Sequence, residues 1–98
     1  MINKQAVRLM NRANELENEQ KNIEELQKIV LKKGNELLKM LSKLPPDCDL
    51  AERPHENVAI VEWLTLCAEF EKRSKSFDYE FDRLRYNAVQ LATKGVIE

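Results

Sequence analysis

The fold is decided by residues 2–44, whose sequence is INKQAVRLMNRANELENEQKNIEELQKIVLKKGNELLKMLSKL. An aliphatic residue occupies every seventh position of this stretch without exception: Ile2, Leu9, Leu16, Ile23, Val30, Leu37 and Leu44. A seven-residue apolar repeat of this length is typical of a helix that packs along one seam against another helix. We place this series at heptad position d, and it predicts one long helix over about residues 3–43.

Two consecutive prolines end this predicted helix. Pro45 and Pro46 lack an N–H group and disfavour helical geometry in the residue before them. They open a connection over about residues 45–53. Within it Asp49 precedes Glu52 by three residues, a spacing that favours the cap of a short helical turn.

The second half of the chain has the same design. Pro54 suits the first position of a helix predicted over about residues 54–94 and ended by Gly95. This helix carries its own seven-residue series of large side chains: Trp63, Phe70, Phe77, Leu84 and Leu91. Because the connection is short, the two helices are predicted to be antiparallel neighbours. The expected fold is all-α, one helical-hairpin domain over residues 1–98.

A second series, at heptad position a, completes the predicted seam. Most of its members are small or polar: Ala6, Ala13, Gln20, Gln27, Gly34 and Leu41, then Ile60, Cys67, Ser74, Phe81, Ala88 and Gly95. Small residues at this position suit a close approach of the helices. The glutamines are predicted to form polar layers, which fix register or partner.

Near the connection the chain is more apolar than a two-helix seam requires. The flanking e and g positions there carry aliphatic side chains: Leu26, Leu31, Leu38, Met40, Ala59, Leu64 and Leu66. We therefore expect the hairpin to complete a four-helix or larger bundle with a second copy or with other helical proteins. The predicted interface consists of Leu31, Leu38, Met40, Leu64 and Leu66, with Trp63 and Phe70 as central anchors.

Charge patterning predicts a second feature. Residues 47–71 hold seven acidic side chains and one basic one, whereas residues 28–43 hold five lysines and one glutamate. In the register we expect, a basic belt forms further along the hairpin from Lys28, Lys32, Lys33, Lys72, Arg73 and Lys75. Such a belt is either a solvated surface or a docking site for an acidic partner segment, such as residues 15–25 of another copy.

The composition argues against several classes of function. The net charge is −1 and the pI is about 5.9, which gives no overall attraction to nucleic acid or to an anionic membrane. No apolar run approaches the ~20 residues that span a bilayer. Cys48 and Cys67 are too few for a disulfide framework. We expect an intracellular chain, cytoplasmic or nuclear, with no membrane contact.

Enzyme signals are nearly absent. The single histidine, His55, lies at the start of the second predicted helix without the orienting partner that a general base requires. No metal-ligand spacing and no phosphate-binding glycine loop are present, so we expect no catalytic residue, metal or cofactor. The predicted function is that of a non-enzymatic scaffolding subunit. The alternative is a small regulatory or nucleic-acid-associated factor that uses the basic belt.

Overall fold

A computed structural model of the chain describes residues 3–94, in which two long helices pack against each other as a hairpin. Helix α1 spans Lys4–Ser42, a single 3₁₀ turn spans Leu50–Glu52, and helix α2 spans Pro54–Lys94. Residues 3–94 contain no strand. The predicted all-α hairpin is therefore confirmed. The predicted roles of Ile2 and Gly95 fall outside the described residues.

Side-chain caps define two of the element starts. The Asn3 side-chain oxygen accepts the backbone N–H groups of Gln5 and Ala6, at 2.9 and 3.2 Å, and so caps α1. The Asp49 carboxylate accepts the backbone N–H of Ala51 at 2.9 Å at the start of the 3₁₀ turn. The cap predicted at Asp49 is present.

The chain divides into two compact units, which we describe separately. The loop-end unit consists of residues 24–72. The terminal unit consists of residues 1–23 and 73–98, of which 3–23 and 73–94 are described.

In the loop-end unit the seam contains the d residues together with a residues, as predicted. These buried or half-buried side chains are Val30, Gly34, Leu37 and Leu41 on α1, and Ile60, Trp63, Cys67 and Phe70 on α2. The Trp63 indole N–H donates to the Val30 carbonyl oxygen at 3.0 Å. A Cβ added at Gly34 would lie 3.0 Å from Trp63 Nε1, so glycine supplies the space for the indole ring. Gln27 is exposed, and its predicted polar layer is therefore wrong.

In the terminal unit the seam is formed on the other side of position d, at position g. The d residues are joined by residues at position g, which gives Gln5, Leu9, Arg12, Leu16, Glu19 and Ile23 on α1, and Phe77, Glu80, Leu84, Asn87 and Leu91 on α2. Four residues predicted for the seam at position a are exposed instead: Ala13, Gln20, Phe81 and Ala88. One physical reason is a cross-helix ion pair on the g flank, because Arg12 Nη2 lies 2.7 Å from Glu80 Oε2.

The observed pairing also corrects the predicted register. The predicted register placed residues 28–33 opposite residues 72–75, whereas Val30 contacts Trp63. Trp63 is the largest of the d side chains, and Gly34 accommodates its ring in the observed register. Facing charge between segments, on which the prediction relied, is the weaker determinant because exposed ion pairs contribute only ~0–1 kcal/mol each.

Candidate partner-binding surface

One side of the loop-end unit carries exposed aliphatic side chains from both helices. In an antiparallel pair, residues that directly follow position d lie on the same side of both helices, and Leu31, Leu38 and Leu64 all have this position. Val61 lies one turn before Leu64 on α2. We call these four residues the aliphatic patch. Leu31 and Leu38 are 63% and 64% exposed, and Leu64 and Val61 are 54% and 57% exposed. Contiguous exposed aliphatics are typical of protein contact sites.

Lysines border the aliphatic patch on α1, on the side of the loop-end unit that we call the patch side. Lys28 lies one turn before Leu31, and Lys32 and Lys39 are exposed at the outward positions after Leu31 and Leu38. On α2 the corresponding residues are uncharged: Pro54, Asn57, Val58, Thr65 and Ala68. Glu62 adjoins them, because it lines a surface pocket with Val58 and Val61.

The other side of the seam carries a groove, and we call it the groove side. Glu36 and Glu62 line an open groove of about 240 Å³ with Met40, Leu66 and His55. Here a lysine has an acidic neighbour, because Lys33 Nζ lies 3.8 Å from Glu36 Oε2. The predicted interface is thus divided. Leu31, Leu38 and Leu64 are on the patch side, whereas Met40 and Leu66 are half-buried on the groove side.

The two predicted anchors belong to the seam of the hairpin. The Trp63 indole is half-buried and its N–H is bonded to the Val30 carbonyl within the hairpin. Phe70 is half-buried at the next d position of α2. Trp63 therefore stabilises the hairpin, because Gly34 allows the ring to enter the seam. Its role as an anchor for a partner stays a prediction.

The residues of the predicted basic belt are divided between the two units. Lys28, Lys32, Lys33 and Lys72 belong to the loop-end unit, whereas Arg73 and Lys75 belong to the terminal unit. Arg73 lines a groove with Glu15 and Glu19. The belt, and the nucleic-acid alternative that depends on it, stay predictions. The two members that border the aliphatic patch are Lys28 and Lys32.

The terminal unit has a polar groove of about 360 Å³. It is lined by Gln5, Arg8, Leu9, Arg12, Glu80, Arg83, Leu84 and Asn87. Arg12 donates to Glu15 at 2.8 Å and to Glu80 at 2.7 Å, and these hydrogen bonds raise the pKa of Arg12 above its ordinary value. The guanidinium is therefore fixed as a cation that joins the two helices.

Sequence reasoning missed which lysines border the patch. The signal was available, because Lys32 and Lys33 are adjacent in sequence yet occupy different heptad positions. Lys32 has the outward position after Leu31, whereas Lys33 lies on the groove side, where it pairs with Glu36.

Other kinds of site have little support. Among residues 3–94, no group of three or more His, Cys, Asp or Glu side chains is arranged to hold a metal ion. In this part of the chain neither helix combines the length and the apolar character needed to cross a membrane. Comparison with family models, with curated protein sequences and with solved structures returned no match. Function is therefore argued from the surface alone.

Proposed function

We propose that the chain is a non-enzymatic subunit that binds other helical proteins and completes a four-helix or larger bundle with them. The observation that carries this proposal is the aliphatic patch, whose four side chains are each more than half exposed. Two packed helices with a second apolar side are the usual precursor of a bundle.

The energy of the patch fits an anchor within a larger interface. Complete burial of one large aliphatic side chain contributes ~1.5–3 kcal/mol, so burying the exposed portions of four contributes roughly 4 kcal/mol. Association itself costs a comparable or larger amount through lost translational and rotational freedom. The partner is therefore expected to contact neighbouring polar groups as well as the patch.

The small hydrophobic core of the hairpin also favours association with a partner. Among the described residues, the hydrophobic side chains that are buried are Leu16 and Leu37. Domains of this size rarely bury enough apolar area for secure stability alone. A bound helix would cover the patch side and increase the buried apolar area of the loop-end unit. Assembly would therefore stabilise the folded hairpin by mass action.

The same proposal assigns no catalytic role to His55. It lines the groove side together with Glu62, and this groove is open to solvent. General bases work in enclosed sites where a substrate proton is within hydrogen-bonding distance. Cys48 and Cys67 are free thiols, which fits a reducing compartment such as the cytoplasm or the nucleus.

The test compares matched aspartate substitutions on the two sides. The tagged full-length chain is isolated from its source cells with its bound proteins, and the complex is sized by light scattering. We expect Leu38→Asp with Leu64→Asp to abolish the complex, because burying two carboxylates in the contact is costly. Ile29→Asp, at a residue 48% exposed outside the patch, should leave it intact.

Circular dichroism of each variant shows whether the hairpin remains helical, which is expected because all three positions are exposed. If the complex keeps its mass in the double variant, the patch is not the binding surface. Equal loss in the Ile29→Asp variant would show that the effect is not specific to the patch.

A further inference from the structure

The lysines beside the aliphatic patch restrict the chemistry of the partner. Lys28, Lys32 and Lys39 are exposed beside the aliphatic patch, and none of them forms an ion pair within residues 3–94. On the groove side, in contrast, Lys33 is paired with Glu36. A protein that covers the patch brings its own side chains up to the three unpaired ammonium groups.

We propose that the patch side binds an amphipathic helix of another protein, in which Asp or Glu residues flank an aliphatic stripe. This inference rests on the proposed function and names its partner class. The stripe would lie over the row formed by Leu31 and Leu38 and the row formed by Val61 and Leu64. The carboxylates would lie on the edge of the partner helix that faces α1, next to the lysines.

The edge that faces α2 differs in charge. Val58 and Thr65 border the patch there, and Glu62 lines a surface pocket with Val58 and Val61. The lysines that border the patch all lie on α1, so the carboxylates of the partner helix are expected on the edge that faces α1.

A second copy of this chain fits the patch side less well. Two copies that meet patch to patch would oppose the three lysines either to lysines or to the α2 edge. Between residues 54–68 of that edge, Glu62 is the carboxylate that lines a pocket with patch residue Val61. Three ammonium groups would then face one carboxylate, so charge complementarity in this contact favours a different protein.

The experiment measures binding of two designed peptides to the full chain by fluorescence anisotropy. Both are amphipathic helices of about three heptads with leucine at the apolar positions. One carries glutamate at the flanking positions and the other carries lysine. We expect the acidic peptide to bind roughly tenfold more tightly at low salt, because each exposed ion pair contributes a few-fold and three lysines take part. The preference should shrink as salt is added.

Two neighbouring substitutions provide the matched comparison. Lys32→Glu and Lys33→Glu change the net charge equally, but only Lys32 borders the patch. We expect Lys32→Glu to weaken binding of the acidic peptide several-fold and Lys33→Glu to change it far less. The combined Lys28→Glu, Lys32→Glu and Lys39→Glu variant should reverse the preference between the peptides. Leu38→Asp with Leu64→Asp should abolish binding of both.

The remaining outcomes distinguish the proposed class of partner from the proposed assembly function. Equal binding of both peptides, or an acidic preference that survives the triple lysine substitution, would overturn the inference and leave the assembly function standing. A purified chain that is dimeric, and becomes monomeric with Leu38→Asp and Leu64→Asp, would replace the partner with a second copy. A monomer that binds neither peptide, with a cellular complex indifferent to the patch, would overturn both.

Discussion

The two units of the hairpin use the same heptad repeat and build different seams from it. In the loop-end unit the d residues are joined by position a, where Gly34 admits the Trp63 ring, and the apolar g residues Leu26, Met40, Ala59 and Leu66 are half-buried as well. In the terminal unit most a residues are exposed and the d residues are joined by position g, where Arg12 bonds Glu80. A heptad repeat establishes that a seam exists. The side chains beside it decide which flank closes, because a and g are both adjacent to d on a helix.

The surface that remains exposed differs accordingly. The loop-end unit exposes an aliphatic patch that is bordered by three lysines on α1 and by Glu62 beside Val61 on α2. The terminal unit exposes Met10 and Phe81, at 64% and 45%, and position e near them carries carboxylates such as Glu17 and Asp78. Apolar groups interrupted by charge are poorer contact surfaces than continuous ones. The contrast is the reason that we assign partner binding to the loop-end unit.

The largest expected effect on stability tests the loop-end seam. Trp63→Ala should lower the free energy of unfolding by about 3 kcal/mol, the lower end for a tryptophan truncation because the ring is half-buried. Trp63→Phe should cost about 1 kcal/mol, since it keeps a ring and loses the bond to Val30. Urea unfolding followed by circular dichroism measures both.

Tyr79→Ala is the control for this comparison. Tyr79 is an aromatic residue of the terminal unit that is 64% exposed, and its truncation should change stability by less than about 0.5 kcal/mol. If Trp63→Ala costs no more than Tyr79→Ala, the indole ring is not a seam residue.

The next effect tests the close approach at Gly34. Gly34→Leu should cost about 2 kcal/mol because its side chain would occupy the space of the Trp63 ring. Gln27→Leu is the matched control, since residue 27 has the same heptad position one repeat earlier but is exposed. We expect a change within about 0.5 kcal/mol there. A large cost at Gln27 and none at Gly34 would restore the predicted glutamine layer.

The helices themselves could be predicted from local signals. The uninterrupted d series, the two prolines after Leu44 and the start of α2 at Pro54 are all local in sequence, and each acts through backbone geometry or burial. These signals predict a hairpin without any knowledge of the pairing between the helices.

The register and the identity of the second seam row could not be predicted in the same way. They depend on which side chains meet across the two helices. The contact of Val30 with Trp63 joins residues distant in sequence, and several registers satisfy a repeat of seven equally well. The candidate patch was partly predicted. Leu31, Leu38 and Leu64 were identified from the surplus of apolar positions, whereas the wrong register led to the basic belt.

The smallest expected effect tests the terminal seam through Arg12 and Glu80. A double-mutant cycle of Arg12→Gln and Glu80→Gln should give a coupling free energy of about 0.5 kcal/mol, because both side chains are part-exposed and solvent screens the pair. The coupling should decrease with added salt.

The control cycle uses Arg85 and Asp82, a pair within α2 that is about two-thirds exposed and should couple more weakly. Exchange of the pair, Arg12→Glu with Glu80→Arg, should recover only part of the loss, because the g flank keeps complementary charges but the ion pair of Arg12 with Glu15 becomes a like-charge contact. Equal coupling in both cycles would mean that the ion pair does not determine the use of position g in this seam. Packing of the d residues alone would then account for it.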